Sequence, residues 1–249
     1  MFRNLQFGVI LFSLTLLAAA EPSDAPPAWA TKRVAEWNEK DAAQVLFESP
    51  WAKMAPPTLL PGLTAFERRD GGNIGAQGGG QGMQLDRLKD FSVVGAKGAS
   101  PHPTRGPKTL ADKLPIRCES ALPIRGAEFK SSEPGVADID GEEYAIAVYD
   151  VSLKLANIDK YEWKDLPGEL RKISTLKIEG KDGSKEVKPS RVAVIQNGDG
   201  IATVVYFFPR STHITADDPR IEFDAQVGRI AVAVYFYPPQ MQFQGKLEL

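Results

Sequence analysis

The segment R-V-A-V-I-Q-N-G-D-G-I-A-T-V-V-Y-F-F, residues 191–208, decides the fold of this chain. Two runs rich in β-branched and aromatic residues flank the turn sequence N-G-D-G at 197–200, an arrangement typical of a β-hairpin. We therefore predict antiparallel strands over Arg191–Gln196 and Ile201–Phe208.

Further short apolar runs surround this hairpin, and turn residues separate them. Between two of these runs, Pro167 at a first turn predicts a short helix over Leu166–Ser174. Many short strands at regular spacing predict a mainly β chain, an antiparallel β-sandwich or barrel-like domain over residues 116–249. The other predicted strands are Ile116–Leu122, Glu143–Tyr149, Thr175–Glu179, Arg220–Val227, Arg229–Tyr237 and Met241–Leu249.

One short N-terminal helix is predicted before this domain. Asn38 is a favourable N-cap, and Asp41 lies three residues later, where a carboxylate stabilises the helix N-terminus. Pro50 ends the helix because proline disfavours the α conformation in the residue before it. Two tryptophans flank the helix and are predicted to pack it onto the β domain. The structural motif consists of Trp37, Asp41, Ser49, Pro50 and Trp51.

Residues 1–20 resemble a secretory signal peptide. Arg3 supplies a positive charge, Phe7–Leu17 is apolar, and small residues end the segment at Ala18–Ala20. The apolar run is shorter than the roughly 20 residues that span a bilayer. The single cysteine, Cys118, does not directly follow the cleavage site, so no cysteine is placed to carry an N-terminal lipid. We therefore expect a periplasmic or extracellular protein, not lipid-anchored, without a transmembrane segment after cleavage.

The composition divides the remaining chain into three parts. Residues 21–55 form a disordered start followed by the Trp-rich helical segment, and residues 56–115 form a Gly/Pro-rich linker or long loop. Within that linker, the glycines of Gly71–Gly82 indicate a flexible loop instead of a phosphate-binding loop, because no lysine follows them. Residues 116–249 form the β domain.

Charge and residue types exclude several function classes. The net charge of -2 provides no field to attract nucleic acid. The chain contains no nucleophile-elbow motif, and its two histidines and one cysteine are too few for the usual zinc site. We interpret His102 and His213 as solvated loop residues, and Cys118 as a small buried residue. Asp138–Glu143 matches only part of a calcium loop and is read as a turn. No cofactor or metal is predicted.

The aromatic residues of the strand near Ile230–Tyr237 allow two interpretations. Alternation places Tyr235 and Tyr237 opposite the core-facing side chains. Either the N-terminal helix covers this second face, or the face is an exposed strip that contacts a partner. In the second case, Tyr161 and Trp163 extend the contact surface.

Residues 37–52 resemble the opening motif W-x-x-x-D-A-x-x-V-L-x-x-S-P-W-A of a functionally uncharacterised family of bacterial exported proteins. Shared features include a signal peptide, a Gly-rich loop, an E-S-A-L-P strand at Glu119–Pro123, and a closing segment. The closing segment comprises Phe208–Arg210 and Gly245–Leu249. The resemblance implies an exported protein with a C-terminal β domain and brings neither a catalytic residue nor a ligand.

The expected function is therefore a non-enzymatic binding or interaction module of the bacterial cell envelope. Its partner would be another envelope protein or a polysaccharide, not nucleic acid. The alternative is an exported hydrolase acting on peptide or carbohydrate through carboxylates, and a third interpretation is a structural protein whose Gly-rich segment folds on a partner. The candidate carboxylates are Glu142, Glu143, Asp217 and Asp218.

Overall fold

A computed structural model describes residues 26–60, 111–133, 135, 139, 141–158, 166–181, 183–198 and 200–249. The predicted signal peptide, the Gly-rich loop at 71–82, His102, Tyr161 and Trp163 lie outside these residues. The expectations for them stay predictions.

Two five-stranded antiparallel sheets dominate the chain. Sheet A contains, in spatial order, β1 (Ala52–Ala55), β3 (Leu114–Cys118), β4 (Glu143–Ser152), β8 (Ile201–Pro209) and β7 (Arg191–Gly198). Sheet B contains β2 (Thr58–Leu59), β10 (Ile230–Phe236), β9 (Arg220–Val227), β5 (Thr175–Gly180) and β6 (Gly183–Val187). A short terminal hairpin joins β11 (Gln242–Phe243) to β12 (Lys246–Leu247). The mainly β fold is confirmed, and of the two predicted architectures it is the sandwich.

The predicted hairpin is present at the centre of this arrangement. β7 and β8 pair from Arg191 opposite Phe207 to Gly198 opposite Ile201. β8 then pairs on its other side with β4, so its residues are buried on both faces. The continuous apolar run of β8 reflects this position inside sheet A.

The core lies between the two sheets, where alternate side chains from each strand meet. Tyr206 and Phe208 of β8 contact Phe223 of β9 with ring centroids 5.3 and 6.2 Å apart. The opposite face of sheet A carries a smaller buried cluster, which includes Ala145 and Phe207. Sheet A is therefore covered on both sides over part of its area.

Four helices accompany the sheets in the described part of the chain: α1 (Ala28–Thr31), α2 (Glu39–Glu48), α3 (Leu122–Ser131) and α4 (Leu166–Ile173). The predicted α2 has its expected cap, because the Asn38 side chain accepts from the Asp41 N–H at 2.9 Å and Asp41 accepts from the Asn38 N–H at 3.1 Å. The predicted α4 buries Leu166 and Leu170. None of these helices is long and apolar enough to cross a lipid bilayer.

The strand predicted over Ile116–Leu122 is wrong in its second half. β3 ends at Cys118, and the chain turns at Glu119 and Ser120 before Leu122 begins α3. Pro123 is compatible with a helical first turn, so the sequence E-S-A-L-P connects a strand to a helix. The strand predicted over Met241–Leu249 is likewise a short hairpin.

The N-terminal segment is built into the sandwich. β1 pairs with β3 at the edge of sheet A, and β2 pairs with β10 at the edge of sheet B. The Trp51 indole is completely buried and donates to the Glu248 carbonyl at 2.7 Å. Trp37 packs against Phe243 with ring centroids 5.8 Å apart. Through these contacts, the two tryptophans pack the helical segment against the C-terminal residues 243–248.

Candidate functional site

The α3 helix presents one face to the core and the other to solvent. Gly126 lies so close to Val34 that an added Cβ would be 2.6 Å from a Val34 methyl group. This close approach holds α3 beside the N-terminal segment. It directs Glu128 toward sheet A and Phe129 outward, with exposed fractions of 5% and 82%.

A pair of carboxyl groups lies between α3 and sheet A. Glu119 directly follows β3 and is 0% exposed, and Glu128 lies in the last turn of α3. The Tyr149 hydroxyl of β4 donates to Oε1 of Glu119 at 2.9 Å and lies 3.3 Å from Oε1 of Glu128. Among the described residues, no N–H or O–H group donates to Oε2 of Glu119.

Arg117 is the buried cation beside this pair. Its Nε donates to the Leu46 carbonyl of α2 at 3.1 Å, and its Nη1 lies 2.7 Å from Oε2 of Glu133. The guanidinium carbon is 5.0 Å from the Phe47 ring centroid and 4.7 Å from that of Tyr149. The positive charge is therefore held between two aromatic rings and compensated by Glu133.

Burial governs the protonation of the pair. Removal from water, together with the neighbouring Glu128, raises the pKa of Glu119 well above its ordinary value. Burial also raises the pKa of Glu128 and of the Tyr149 phenol. Glu128 lies near the negative end of the helix dipole, which disfavours its charged form further. Such groups are candidates for a functional role.

The outer face of α3, defined here as Leu122, Arg125 and Phe129, is the second notable feature. These residues follow one another at helical spacing and all are exposed. Leu122 and Phe129 are 42% and 82% exposed, and Arg125 makes no ion pair with any described residue. The outer face is thus an apolar surface with one uncompensated positive charge.

The predicted aromatic contact residues have different environments. Tyr237 is 39% exposed, whereas Tyr235 is half-buried, donates to Glu222 at 2.8 Å and lies under the Arg220 guanidinium at 4.6 Å. Ala233, on the same side of β10, is exposed. The N-terminal helix therefore does not cover this face, and Tyr235 belongs to a polar network on sheet B.

The four carboxylates proposed for hydrolysis are engaged in local contacts. Glu143 accepts from Arg191 at 2.8 Å and also from Ser190. Asp217 pairs with Lys181 at 3.4 Å. Asp218 accepts from the Thr215 N–H at 2.7 Å. These interactions place the Glu143 carboxylate in sheet A and the Asp217–Asp218 pair beside the β5–β6 hairpin. Glu142 is exposed directly before β4, and its backbone carbonyl accepts from the Arg210 N–H at 3.0 Å.

The helical motif residues have structural partners. The Lys32 ammonium donates to Asp41 at 2.8 Å and lowers the pKa of that carboxyl. The Ser49 hydroxyl is buried and donates to the Val45 carbonyl at 2.6 Å. Pro50, half-buried, follows the end of α2. These contacts close both ends of the helix.

Cys118 and His213 behave as predicted. Cys118 is buried, and its burial raises the pKa of the thiol. His213 is exposed in the loop after β8. No group of three or more His, Cys, Asp or Glu residues in the described ranges is placed to hold a metal ion.

Sequence reasoning missed both Glu119–Glu128 and the outer face of α3. Both depend on α3, which the sequence did not indicate. A carboxylate three residues from the end of a helix, followed by an exposed phenylalanine, becomes a signal only once the helix is known. Comparison of the chain with protein-family models, with curated proteins and with solved structures returned no match.

Proposed function

We propose that this chain is an exported, non-enzymatic binding module of the bacterial cell envelope, and that it contacts another envelope protein through the outer face of α3. The observation that supports this proposal is the 82% exposure of Phe129. The opposite face of α3 is already packed on the core, so a partner that covers Phe129 would bury its side chain. Such burial would contribute about 1.5–3 kcal/mol to the free energy of binding.

The outer face suits a protein partner. Aromatic and arginine side chains are enriched in protein interfaces, and Arg125 lies between the two apolar residues. The helix is already held by Gly126 and Glu128, so binding requires little ordering of the backbone. The expected partner presents an apolar surface with a carboxylate that pairs with Arg125.

An apolar photo-crosslinking residue in place of Leu122, which leaves Arg125 and Phe129 intact, tests this proposal in the full chain expressed in its native bacterium. We expect one defined protein adduct. Phe129→Ala should remove it, whereas Tyr237→Ala, a matched aromatic change directly after β10, should retain it. Phe129→Ala should leave the free energy of unfolding unchanged. Adducts that survive Phe129→Ala, or adducts that form with polysaccharide alone, would contradict the proposed partner.

Export is tested by the N-terminus of the mature protein. Mass spectrometry of the envelope fraction should show a chain that starts near Glu21. An intact Met1 in that fraction would contradict cleavage of the predicted signal peptide.

An exported hydrolase is the second candidate, favoured by the Glu119–Glu128 pair instead of the four carboxylates first considered. Two carboxyl groups that share a site with a tyrosine can act as general acid and base. The Oε1 atoms of both carboxyl groups lie within 3.3 Å of one Tyr149 hydroxyl, an arrangement that suits a proton shared between two carboxyls acting on a peptide. Glu119→Gln should then abolish peptide hydrolysis. Equal or absent hydrolysis in both proteins would eliminate this candidate.

A further inference from the structure

We infer that Glu119 and Glu128 share a single proton, and that this proton stabilises the packing of the C-terminal half of α3 on sheet A. Loss of the proton at rising pH destabilises that packing. This inference concerns the protein's response to pH and holds whatever partner the outer face of α3 binds.

Among the described residues, the carboxyl pair has too few hydrogen-bond donors around it. Within the ranges that the structure describes, the O–H group in contact with the pair is that of Tyr149. Its single proton is donated to Oε1 of Glu119 at 2.9 Å, and Oε1 of Glu128 lies 3.3 Å from the hydroxyl oxygen. Oε2 of Glu119 is buried, and no described N–H or O–H group donates to it. Charged carboxylates are acceptors only, so a proton shared by the two carboxyl groups supplies the donor that their oxygen atoms lack.

The surrounding charges cannot compensate for a second negative charge. Within the described part of the chain, Arg117 of β3 is the one cation among the groups that face the pair, and its guanidinium is already bonded to Glu133. β4 contributes the neutral Tyr149. α2 contributes only the Leu46 carbonyl and the Phe47 ring, both directed at Arg117. The thiol of Cys118 is the next titratable group along β3.

The pair also holds the chain that follows α3. A Cβ added to Gly135 would lie 2.9 Å from Oε2 of Glu128, so this backbone passes directly over the carboxyl group. Glu133, just before it, is tied to Arg117 at 2.7 Å. When the shared proton leaves to water, two adjacent buried carboxylates repel each other, and movement of α3 lets water reach them.

The direction of the pH effect follows from the raised pKa of both groups. A carboxyl group that binds its proton more tightly in the folded state stabilises that state at low pH. This stabilisation is complete below the ordinary carboxyl range and is lost as the pH rises through the folded-state value. The packing of α3 on sheet A is therefore most stable at low pH and becomes less stable as the pH rises.

Urea unfolding of the full mature chain at several values between about pH 5 and about pH 9 tests the inference. Glu119→Gln replaces the shared proton with an amide donor that does not titrate. We expect the ratio of the wild-type to the variant unfolding constant to rise at least about tenfold across this range. Glu186→Gln, a change at an exposed position of β6, should keep the wild-type profile. Should Glu119→Gln fail to fold, Glu128→Gln provides the same measurement.

Hydrogen exchange locates the effect on α3. Wild type and Glu119→Gln are compared at the same pH, so that intrinsic exchange rates cancel. Near pH 8, amides of residues 126–131 should exchange several-fold faster in wild type, and about 3 units lower, near pH 5, the two proteins should agree. Equal pH profiles of wild type and Glu119→Gln, or equal exchange near pH 8, would overturn the inference.

Discussion

Trp51 is the largest completely buried side chain among the described residues. Its indole N–H reaches the carbonyl of Glu248, 197 residues later in the chain. Its ring meets Trp29 edge-on, with centroids 6.5 Å apart. One side chain thus joins the start of the described chain to its end.

Trp51→Ala should lower the free energy of unfolding by about 3–5 kcal/mol, because it leaves a cavity and an unpaired carbonyl. Urea unfolding monitored by circular dichroism measures the loss. Phe129→Ala is the matched aromatic control on an exposed position, and we expect a change within about 0.5 kcal/mol there. A loss below about 1 kcal/mol for Trp51→Ala would contradict its place in the core.

Gly228 lies at a position that has no room for a side chain. Its φ is +56°, and an added Cβ would lie 2.0 Å from the Ala156 carbonyl oxygen. That oxygen also accepts from the Arg229 N–H at 2.9 Å. The β9–β10 turn is therefore packed directly on the chain that follows β4.

Gly228→Ala combines backbone strain with this clash, whereas Gly200→Ala, at φ +74° with no atom within 4 Å, carries the strain alone. We expect about 1–2 kcal/mol of destabilisation for Gly200→Ala and about 1–3 kcal/mol more for Gly228→Ala. Thermal and urea unfolding measure both. Equal losses would show that the turn can move away from Ala156.

At the scale of elements, α2 and α3 show what local sequence can and cannot predict. The Asn38–Asp41 cap and Pro50 lie within or beside α2, so its bounds follow from neighbouring residues. α3 has Pro123 and Gly126 in its sequence, which local propensity disfavours. It forms because Ile124 and Ala127 are buried and Val34 packs over Gly126. Those partners are distant in sequence, so α3 and its carboxyl pair could not be predicted.

Asn38→Ala should destabilise the protein by about 0.5–2 kcal/mol, because the Asp41 N–H loses its acceptor. Asn38→Ser retains a side-chain oxygen and should cost only a fraction of that amount. Hydrogen exchange at the first turn of α2 should accelerate in Asn38→Ala alone. The same exchange rate in both variants would argue against the capping role.

At the scale of the whole molecule, regular short strands and turn residues predicted the sandwich, while the edges of its sheets were not predictable. β1 and β2 are too short to show a pattern of their own. They become strands because β3 and β10 offer unpaired edges. The consequence is that the Trp-rich helical segment, predicted as a region separate from residues 116–249, shares one continuous core with both sheets.

This shared core predicts a single cooperative unfolding transition. Three of the four tryptophans, Trp29, Trp37 and Trp51, lie in the N-terminal segment, whereas far-UV circular dichroism reports mainly on the sheets. The two signals should therefore give coincident urea transitions. Phe243→Ala removes the contact with Trp37 and should lower the free energy of unfolding obtained from both signals by about 3–5 kcal/mol. Gln242→Ala, a change at the exposed neighbouring position of β11, should leave both transitions unchanged. A fluorescence transition that precedes the circular dichroism transition would mean that the helical segment unfolds independently of the sandwich.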